Sequence, residues 1–343
     1  MSRQQATVLF DAPGPRARRR HAVLTVAAVL VLLGIAYAVY ARLQQRGQFA
    51  AELWRPFIEG QVWTNLILPG LRNTLGAAAV ASVLALAFGI VFGLARLSDH
   101  WWIRWPAGAV VEFFRAIPLL ILIFLAFFVP PAISPIIADS PLGNLQRIVV
   151  QNVLFVFGVE INAGNVTVPA FAALVFGLVM YNGSVLAEVV RAGVLAVPRG
   201  QSEAAYALGL RKNAVMRLVL LPQAITAMMP AVVSQMVVLL KDTALGFVIA
   251  FADLLSAGFR IVPANYHNLI PAAIVISIIY IGINMALSYL ATWLEARSRR
   301  SRKTSAATLG TGTGTPAAAG IGPAPAAGPA GEAAQSDTAA EVN

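Results

Sequence analysis

Charged side chains that interrupt apolar runs are the residues of this 343-residue chain with the clearest chemical potential. Glu112 and Arg115 lie three positions apart in one such run, and Glu188 and Arg191 repeat that spacing in another. Residues three apart share one face of a helix, and charges within apolar helices usually face a bundle interior, a partner or an interface. The spacing therefore predicts ion pairs across helices, with direct contact to a substrate as the alternative.

Several kinds of catalytic and metal site are excluded by the residues that the chain offers. It has no cysteine, so neither a disulfide framework nor a thiolate nucleophile can form. His21, His100 and His267 are scattered, with no H-x-x-x-H pair to hold a metal. The motifs H-E-x-x-H and G-x-S-x-G are absent, as is the phosphate-binding G-x-x-x-x-G-K-[ST] loop. We therefore predict no catalytic residue, no metal and no cofactor.

Apolar runs long enough to cross a bilayer dominate the sequence. Hydrophobic residues make up 58% of the chain and charged residues 12%, and the mean hydropathy is +0.74. A helix crosses the hydrocarbon in about 20 apolar residues, and lipid offers the backbone no other hydrogen-bond partner. The predicted fold class is therefore an all-α integral membrane protein with about six transmembrane helices. The six runs are 22–41, 71–96, 107–130, 168–190, 217–240 and 269–294.

The positions of Arg and Lys predict the orientation, because loops on the cytoplasmic side accumulate them. The formal charge of +10 comes from residues that cluster between the apolar runs, so topology explains it better than nucleic-acid binding does. With the N-terminus inside, most of the clusters face the cytoplasm, and both termini of this plasma-membrane protein are predicted to be cytoplasmic. The clusters predicted to be cytoplasmic are Arg16 to Arg20, Arg96 with Arg104, the loop 191–217 and Arg297 to Lys303.

Three segments are predicted to lie outside the main bundle. Residues 1–21 form a basic cytoplasmic N-terminus, and the run 22–41 is longer than the apolar core of a signal peptide, which indicates an uncleaved anchor. Residues 304–343 are rich in Gly, Ala, Pro and Thr, a composition typical of a disordered tail. The external stretch 131–169 contains an apolar run too short to span, which predicts a small hairpin or a helix lying on the membrane.

The cytoplasmic loop 191–217 has its own helix signals. Ser202 can cap a helix that begins at Glu203, where a negative charge meets the positive end of the helix dipole. Gly209 supplies a left-handed stop, and Asn213 can cap a second helix that Pro222 should kink. The sequence therefore predicts a short helix, a glycine hinge and a longer helix.

The same loop carries a spaced signature: Glu-Ala-Ala, three residues, Gly, nine residues, Ile, any residue, then Leu-Pro. This spacing resembles that of the permeases of binding-protein-dependent ABC importers, with Val219 in place of Ile. The matching residues are Glu203, Ala204, Ala205, Gly209, Leu221 and Pro222.

The resemblance extends from about Asn73 to Glu295 and is strongest with the polar amino-acid branch of these permeases. Its Phe-Phe-Arg-Ala-Ile-Pro segment is similar to that of glutamate-uptake permeases of actinobacteria. The resemblance is carried by Val111–Phe124, Ala187–Ala205 and Leu221–Leu245. The chain departs from the branch at Ser234, often Asn, at Ala244, often Ser, and at Ala116-Ile117, often a small residue followed by Thr.

The resemblance implies a type I ABC importer transmembrane domain over 71–296, with a five-helix core and the 22–41 span as an addition. It also implies three partners. The helix with Glu203 would dock into a cytoplasmic ATPase subunit, an external binding protein would deliver a polar amino acid, and a second permease chain, identical or paralogous, would join this one. Glutamate or glutamine is the favoured cargo. Under alternating access, ATP would close the inner gate formed by the predicted ion pairs.

Further polar residues lie in or beside the predicted spans. Lys241 and Asp242 close the fifth span on the outer side, where an interfacial anchor, an outer gate and a contact for the amino acid remain open. Four others could meet a zwitterion near the midplane or form hydrogen bonds between helices. They are Asn182, Ser184, Ser234 and Gln235.

Two other classes of protein would fit a hydrophobic chain of this length. A secondary transporter driven by an ion gradient would usually show an inverted repeat or a midplane carboxylate, and neither is evident. An intramembrane enzyme would need the catalytic motifs that are missing here. We therefore expect a transport subunit whose partner chain hydrolyses ATP.

Overall fold

The computed structural model describes residues 14–162 and 164–310, which are almost entirely helical. Six helical stretches are long and apolar enough to cross a membrane, which confirms the predicted number. They are Arg16–Gln45, Gly60–Ala95, Leu119–Ile137, Ala170–Leu195, Lys212–Ile249 and Leu269–Leu290.

The α-helices are α1 (Pro15–Gln45), α2 (Ala51–Trp54), α3 (Gly60–Val62), α4 (Leu68–Ala95), α5 (Trp101–Ala116), α6 (Leu119–Ile137), α7 (Pro141–Asn152), α8 (Ala170–Leu195), α9 (Arg199–Ala207), α10 (Lys212–Ala214), α11 (Leu221–Asp242), α12 (Leu254–Ser256), α13 (Val262–Tyr266) and α14 (Leu269–Gly310). Short 3₁₀-helices cover Arg55–Phe57, Leu154–Phe157 and Thr243–Ile249. Wider π-helical turns cover Trp63–Ile67, Val215–Leu220 and Ala257–Ile261.

The ends of the chain differ from the core in their packing. None of the apolar window of α1 is buried within the described part of the chain. The chain divides into two compact units, residues 1–298 and 299–343. Helix α14 includes residues 304–310, where the sequence predicts disorder; Ala306, Ala307 and Leu309 in this stretch favour helix. The rest of the predicted tail, 311–343, and residues 1–13 of the basic N-terminus lie outside the described residues.

The predicted third span, 107–130, is wrong in its boundaries. The chain breaks at Ile117, whose backbone is extended (φ −90°, ψ 129°), and α6 begins after Pro118. A residue before proline is disfavoured in the helical region, because the proline ring collides with its backbone. The amphipathic α5 therefore precedes the third span as a separate helix, and Glu112 and Arg115 belong to α5.

The stretch 131–169 contains a helix and a hairpin, the two kinds of element that the sequence left open. Helix α6 continues past its three prolines to Ile137, seven residues beyond the predicted end. Helix α7 follows, capped by the Ser140 hydroxyl, which accepts a hydrogen bond from the Gly143 N–H. An antiparallel hairpin then pairs β1 (Glu160–Asn162) with β2 (Asn165–Thr167), with Ile161 opposite Val166.

Small residues allow α4 and α8 to pack closely at the centre of the bundle. Ala77, Ala81 and Ala85 of α4 are fully buried in the main hydrophobic cluster. A Cβ placed on Gly89 would lie 2.6 Å from the Leu186 Cβ, so the two helices meet there without room for a methyl group. Small residues on α4 therefore let α8 lie directly against it, and this close approach sets the position of α8.

Substituting Gly89→Ala should lower the stability of the chain by about 1–3 kcal/mol, because an inserted methyl group would force two packed backbones apart. Gly76→Ala on the same helix is the matched control, since a Cβ there meets nothing within 4 Å. It should stabilise by about 0.5–1 kcal/mol through helix propensity. Thermal unfolding of both variants in detergent measures the difference; equal midpoints would contradict the close approach.

The segment that precedes α12 is anchored to the start of α4. The Asn73 amide donates to the Ala252 carbonyl at 2.8 Å, and the Leu254 N–H donates to the Thr74 hydroxyl at 2.9 Å. The fully buried Asp253 caps α12 by accepting a hydrogen bond from the Ser256 N–H at 2.7 Å. Its other carboxyl oxygen, Oδ2, has no hydrogen-bond partner in the described structure.

Burial raises the pKa of Asp253 above its ordinary value, although the Ser256 N–H acts in the opposite direction. A raised folded-state pKa gives stability that is present below the unfolded pKa and is lost as pH rises through the folded pKa. Asp253→Asn keeps an oxygen for the cap but does not ionise, so we expect a smaller loss of thermal stability between acidic and neutral pH. Asp139→Asn, at an exposed position, should leave the wild-type pH profile unchanged.

Candidate functional site

The short helix of the loop 191–217 is α9, and it begins earlier than predicted. Ser202 does not cap it; Pro198 holds the capping position with extended backbone (ψ 134°), and the helix starts at Arg199. The Ser202 hydroxyl instead donates to the Arg199 carbonyl at 2.7 Å. Proline suits this place because its ring fixes φ and the first helical turn needs no donor from it.

The predicted stop at Gly209 is confirmed. Gly209 adopts a left-handed conformation with φ +79°. Its N–H donates to the Tyr206 carbonyl at 2.9 Å, and the Leu210 N–H donates to the Ala205 carbonyl at 3.2 Å. These two bonds form a Schellman motif, which satisfies carbonyls at the end of α9 and reverses the chain direction.

The second helix starts at α10 with Arg211, not Asn213, in the capping position. No side chain caps it; the start is held by an ion pair between Lys212 and Asp99 of the α4–α5 loop. The hydrogen bond from Lys212 lowers the pKa of Asp99 below its ordinary value. A π-helical turn, Val215–Leu220, directly precedes Pro222, where the sequence predicts a kink, and its wider backbone accommodates a ring without an N–H.

One face of α9 is exposed, and the other packs against the described chain. Glu203 and Ala204 are exposed, Tyr206 is 48% exposed and Leu208 is 82% exposed. Ala205 is buried at 5%, so it packs within this chain instead of lying on the docking face expected from the sequence. The exposed face combines one carboxylate with apolar side chains, which suits insertion into a groove of another protein.

Five charged residues form an ion-pair cluster at the same end of the bundle. Arg96, at the end of α4, donates to Glu188 of α8 at 2.8 Å and to Glu112 of α5 at 3.0 Å. Arg191 donates to Glu188 at 2.6 Å, and Arg115 lies 3.6 Å from Glu112. The four residues singled out from the sequence are thus brought together.

Arg96 is the member of the cluster that sequence reasoning missed. From the sequence, Arg96 serves only to predict the orientation of the chain in the membrane, because it follows an apolar run in a loop where positive charge is expected. Its side chain is only 14% exposed, and it alone bridges the pair on α5 to the pair on α8. The sequence did contain a signal for this role: Arg96 is a basic residue at the end of one apolar run, and acidic residues lie near the ends of others.

Asn182, Gln235 and Asp242 form a hydrogen-bonded group inside the bundle. Asn182 is fully buried in α8, accepts from the Gln235 amide at 2.6 Å and donates to the Asp242 carboxylate at 3.5 Å. The expectation that Asp242 closes the fifth span on the outer side is wrong, since the helical run continues to Ile249. A 3₁₀-helix extends the span, so Asp242 is level with the middle of α8.

The remaining predicted path residues are separate from that group. Ser184 is fully buried, and its hydroxyl has no partner in the described structure, whereas Ser234 is exposed. Lys241 is exposed and borders a cavity of about 530 Å³ between α11 and α14, together with Tyr280 and Asn284. The Tyr280 hydroxyl donates to the Leu240 carbonyl at 3.2 Å, and the Asn284 Oδ1 is buried without a partner. Sequence reasoning did not identify either residue of α14.

Acidic and histidine side chains are spread apart within the described ranges. No group of three or more that could hold a metal ion occurs in 14–162 or 164–310.

Comparisons with known proteins show what the chain as a whole is similar to. The family described as "Binding-protein-dependent transport system inner membrane component" matches residues 66–300. The glutamate transport system permease protein GluD of Corynebacterium glutamicum is 40% identical over 267 residues, covering 77% of this chain and 87% of that protein. The glutamate/aspartate import permease protein GltK of Escherichia coli is 29% identical over 243 residues, covering 69% and 97%.

Solved structures also match the fold. A crystal structure of an amino acid ABC transporter with histidines has a TM-score of 0.55 and 30% identity, covering 68% of this chain and 95% of its own. An inward-facing structure of the MetNI methionine ABC transporter has a TM-score of 0.53, covering 70% and 98%, at 18% identity. The second likeness concerns the fold alone.

Proposed function

The chain belongs to the family of binding-protein-dependent transport system inner membrane components, and on that premise we propose that it carries a polar amino acid inward, with glutamate or glutamine favoured. The transport is driven by ATP that a partner chain hydrolyses. The observation that carries this proposal is the exposed helix α9, ended by the left-handed Gly209 and matching the importer signature in register. The glutamate permease of C. glutamicum, at 40% identity, supports the choice of cargo.

Three partners follow from this role. A cytoplasmic ATPase receives the face of α9 that exposes Glu203, Tyr206 and Leu208, an external binding protein delivers the amino acid, and a second permease chain, identical or paralogous, completes the path. The positive-inside distribution of Arg and Lys supports a cytoplasmic position for α9 and both termini. Movement of α9 is transmitted through the hinge at Gly209 to α10, whose Lys212 pairs with Asp99 of the α4–α5 loop.

The ion-pair cluster is proposed as the inner gate. Arg96, Glu112, Arg115, Glu188 and Arg191 join α4, α5 and α8, at the same end of the bundle as α9. A displacement of α9 reaches this cluster through Lys212 and Asp99, which precedes α5 by two residues. Making and breaking the two bonds of Arg96 would then change access to the path from the cytoplasm.

The path for the amino acid is proposed to run past the polar group of Asn182, Gln235 and Asp242 and past the cavity of Lys241. Charged and amide groups within a bundle offer partners to both ends of a zwitterion where lipid offers none. Ser184 and Ser234 are further candidates along the same two helices. Hydrogen bonding between α8 and α11 is the structural alternative for Asn182 and Gln235.

Replacing Lys241→Gln should reduce glutamate uptake about tenfold while reducing glutamine uptake less, because a charge-assisted bond to the side-chain carboxylate would be lost. Lys241→Arg keeps the positive charge and is the matched control. Initial uptake rates of the two labelled amino acids give the ratio. An unchanged ratio would count against a contact between Lys241 and the substrate.

The proposed function is tested by uptake into proteoliposomes. Labelled glutamate, glutamine and a basic amino acid are offered with the permease alone, with its ATPase, and with ATPase and binding protein, each with and without ATP. Uptake should require the ATPase and ATP. Uptake driven by a proton or sodium gradient without the ATPase would establish the alternative, a secondary transporter.

A further inference from the structure

A cationic cavity lies beside the ion-pair cluster, and the proposed transport path does not use it. It has a volume of about 530 Å³ and is bordered by Arg96, by Trp101, Arg104 and Trp105 of α5, and by Arg191 of α8. Positions 101, 104 and 105 follow one another at helical spacing, so they share one face of α5. That face brings two tryptophans and an arginine to the two arginines of the cluster.

Positive charge exceeds negative charge at this cavity. Two of its three guanidinium groups, those of Arg96 and Arg191, lie within ion-pairing distance of the carboxylates of Glu112 and Glu188, and Glu112 is shared with Arg115. Arg104 is exposed; its charge acts on the neighbouring Asp99, but among the described residues it makes no ion pair within 4.0 Å. An anionic ligand would therefore find an uncommitted guanidinium, next to two others that are already ordered by their carboxylates.

The surroundings of the cavity are typical of the level of lipid headgroups. Trp101 is 69% exposed and Trp105 is 72% exposed, although both lie on an amphipathic helix between the ends of two membrane spans. Tryptophan rings favour the headgroup region, with their apolar faces toward acyl chains. A Cβ placed on Gly108, at the far border, meets nothing within 4 Å, so the cavity is open at that position.

We propose that this cavity binds the phosphate group of an anionic phospholipid of the cytoplasmic leaflet. Guanidinium groups match phosphate oxygens in geometry, and basic pockets between spans on the cytoplasmic side suit anionic headgroups. The tryptophans favour a lipid over a free phosphate ion because their exposed rings can pack on the chains of the bound molecule. Lipid binding itself does not depend on transport.

Its consequence for the gate rests on the proposed function. A phosphate that bonds to Arg96 and Arg191 competes with Glu188 for both guanidinium groups, so the bound lipid weakens the ion pairs that join α4 to α8. The fraction of phosphatidylglycerol in the membrane would then change the rate of transport.

The binding is measured on the full chain in nanodiscs of phosphatidylcholine with increasing phosphatidylglycerol, and native mass spectrometry counts the retained phosphatidylglycerol. Arg104→Gln removes the uncommitted charge, and Gly108→Leu fills the cavity without changing charge. Arg104→Gln should weaken retention about fivefold, the effect of one basic residue near an anionic headgroup. Gly108→Leu should also weaken retention, because the inserted side chain occupies space that the headgroup needs. Arg147→Gln, which removes an exposed arginine of α7, should bind as the wild type does.

Two outcomes would overturn the proposal. Equal retention by the wild type and both cavity variants would show that the lipid binds elsewhere, and complete displacement by inorganic phosphate would make the site one for a free ion. Uptake into proteoliposomes that contain or lack phosphatidylglycerol is measured in parallel. Failure of uptake in every lipid would reject the proposed function and leave the lipid count standing.

Discussion

Replacing Gly209→Pro should lower ATP-driven uptake roughly a hundredfold, the equivalent of the about 3 kcal/mol that a misplaced proline costs. Gly209 has φ +79°, whereas proline requires a negative φ, and the N–H that donates to the Tyr206 carbonyl would be lost. The hinge between α9 and α10 could then no longer form. Uptake and ATP hydrolysis by the assembled transporter are measured together, because uncoupling should abolish the first more than the second.

A graded series separates the hinge conformation from general damage. Asparagine tolerates the left-handed region better than other side chains, so Gly209→Asn should retain more uptake than Gly209→Val. Gly200→Ala is the control on the same helix, since its Cβ meets nothing within 4 Å and its φ is not positive. Normal uptake by Gly209→Pro, with normal membrane insertion, would contradict the coupling role of the hinge.

Removing the bridging arginine by Arg96→Gln should destabilise the closed inner gate by about 2 kcal/mol, the contribution of hydrogen bonds to charged groups. Glu188 would keep only Arg191, and Glu112 only Arg115, so α8 would lose its ion pair to α4 and its link to α5. We expect uptake to fall about tenfold. A double-mutant cycle of Arg96→Gln and Glu188→Gln measures the coupling energy of this pair, which should differ from zero because the two side chains are in direct contact.

The absence of cysteine from the chain provides a direct readout of the gate. Val190→Cys places a thiol at a position that is 1% exposed, between the two charged residues of α8. In the Arg96→Gln background this thiol should react faster with a cytoplasmic maleimide than in the parent. Arg55→Gln is the control, since Arg55 and Glu59 form an exposed pair at 3.5 Å, with side chains 79% and 51% exposed, and such pairs contribute little. Equal labelling rates in all backgrounds would argue against a gate at this cluster.

The spans and the hinge could be read from the sequence because their causes are local. A run of about 20 apolar residues must be helical in lipid whatever its neighbours are. Gly209 ends α9 because glycine alone accepts its φ without strain. The importer signature also lies within one loop, so its letters and spacing survive without any knowledge of the fold.

Local signals failed where two of them competed. Ser202 and Asn213 are good capping residues, but Pro198 and Arg211 occupy the capping positions, and Pro198 sets the start of α9 through its fixed backbone. Hydropathy alone joined α5 to α6 because the residues around Ile117 are apolar, although Pro118 interrupts the helix there. A window average of hydropathy does not register one extended residue.

By itself, the sequence determined that this chain crosses a membrane in helices, exposes a hinged loop and carries paired charges. Only the tertiary structure decided that Arg96 bridges Glu112 and Glu188, which lie 16 and 92 positions from it, and that Asp242 meets Asn182 at the middle of α8. The physical reason is that helix spacing fixes which residues share a face. Which faces meet, and at what depth, depends on packing between distant helices, here on the close approach of α4 and α8 at Gly89.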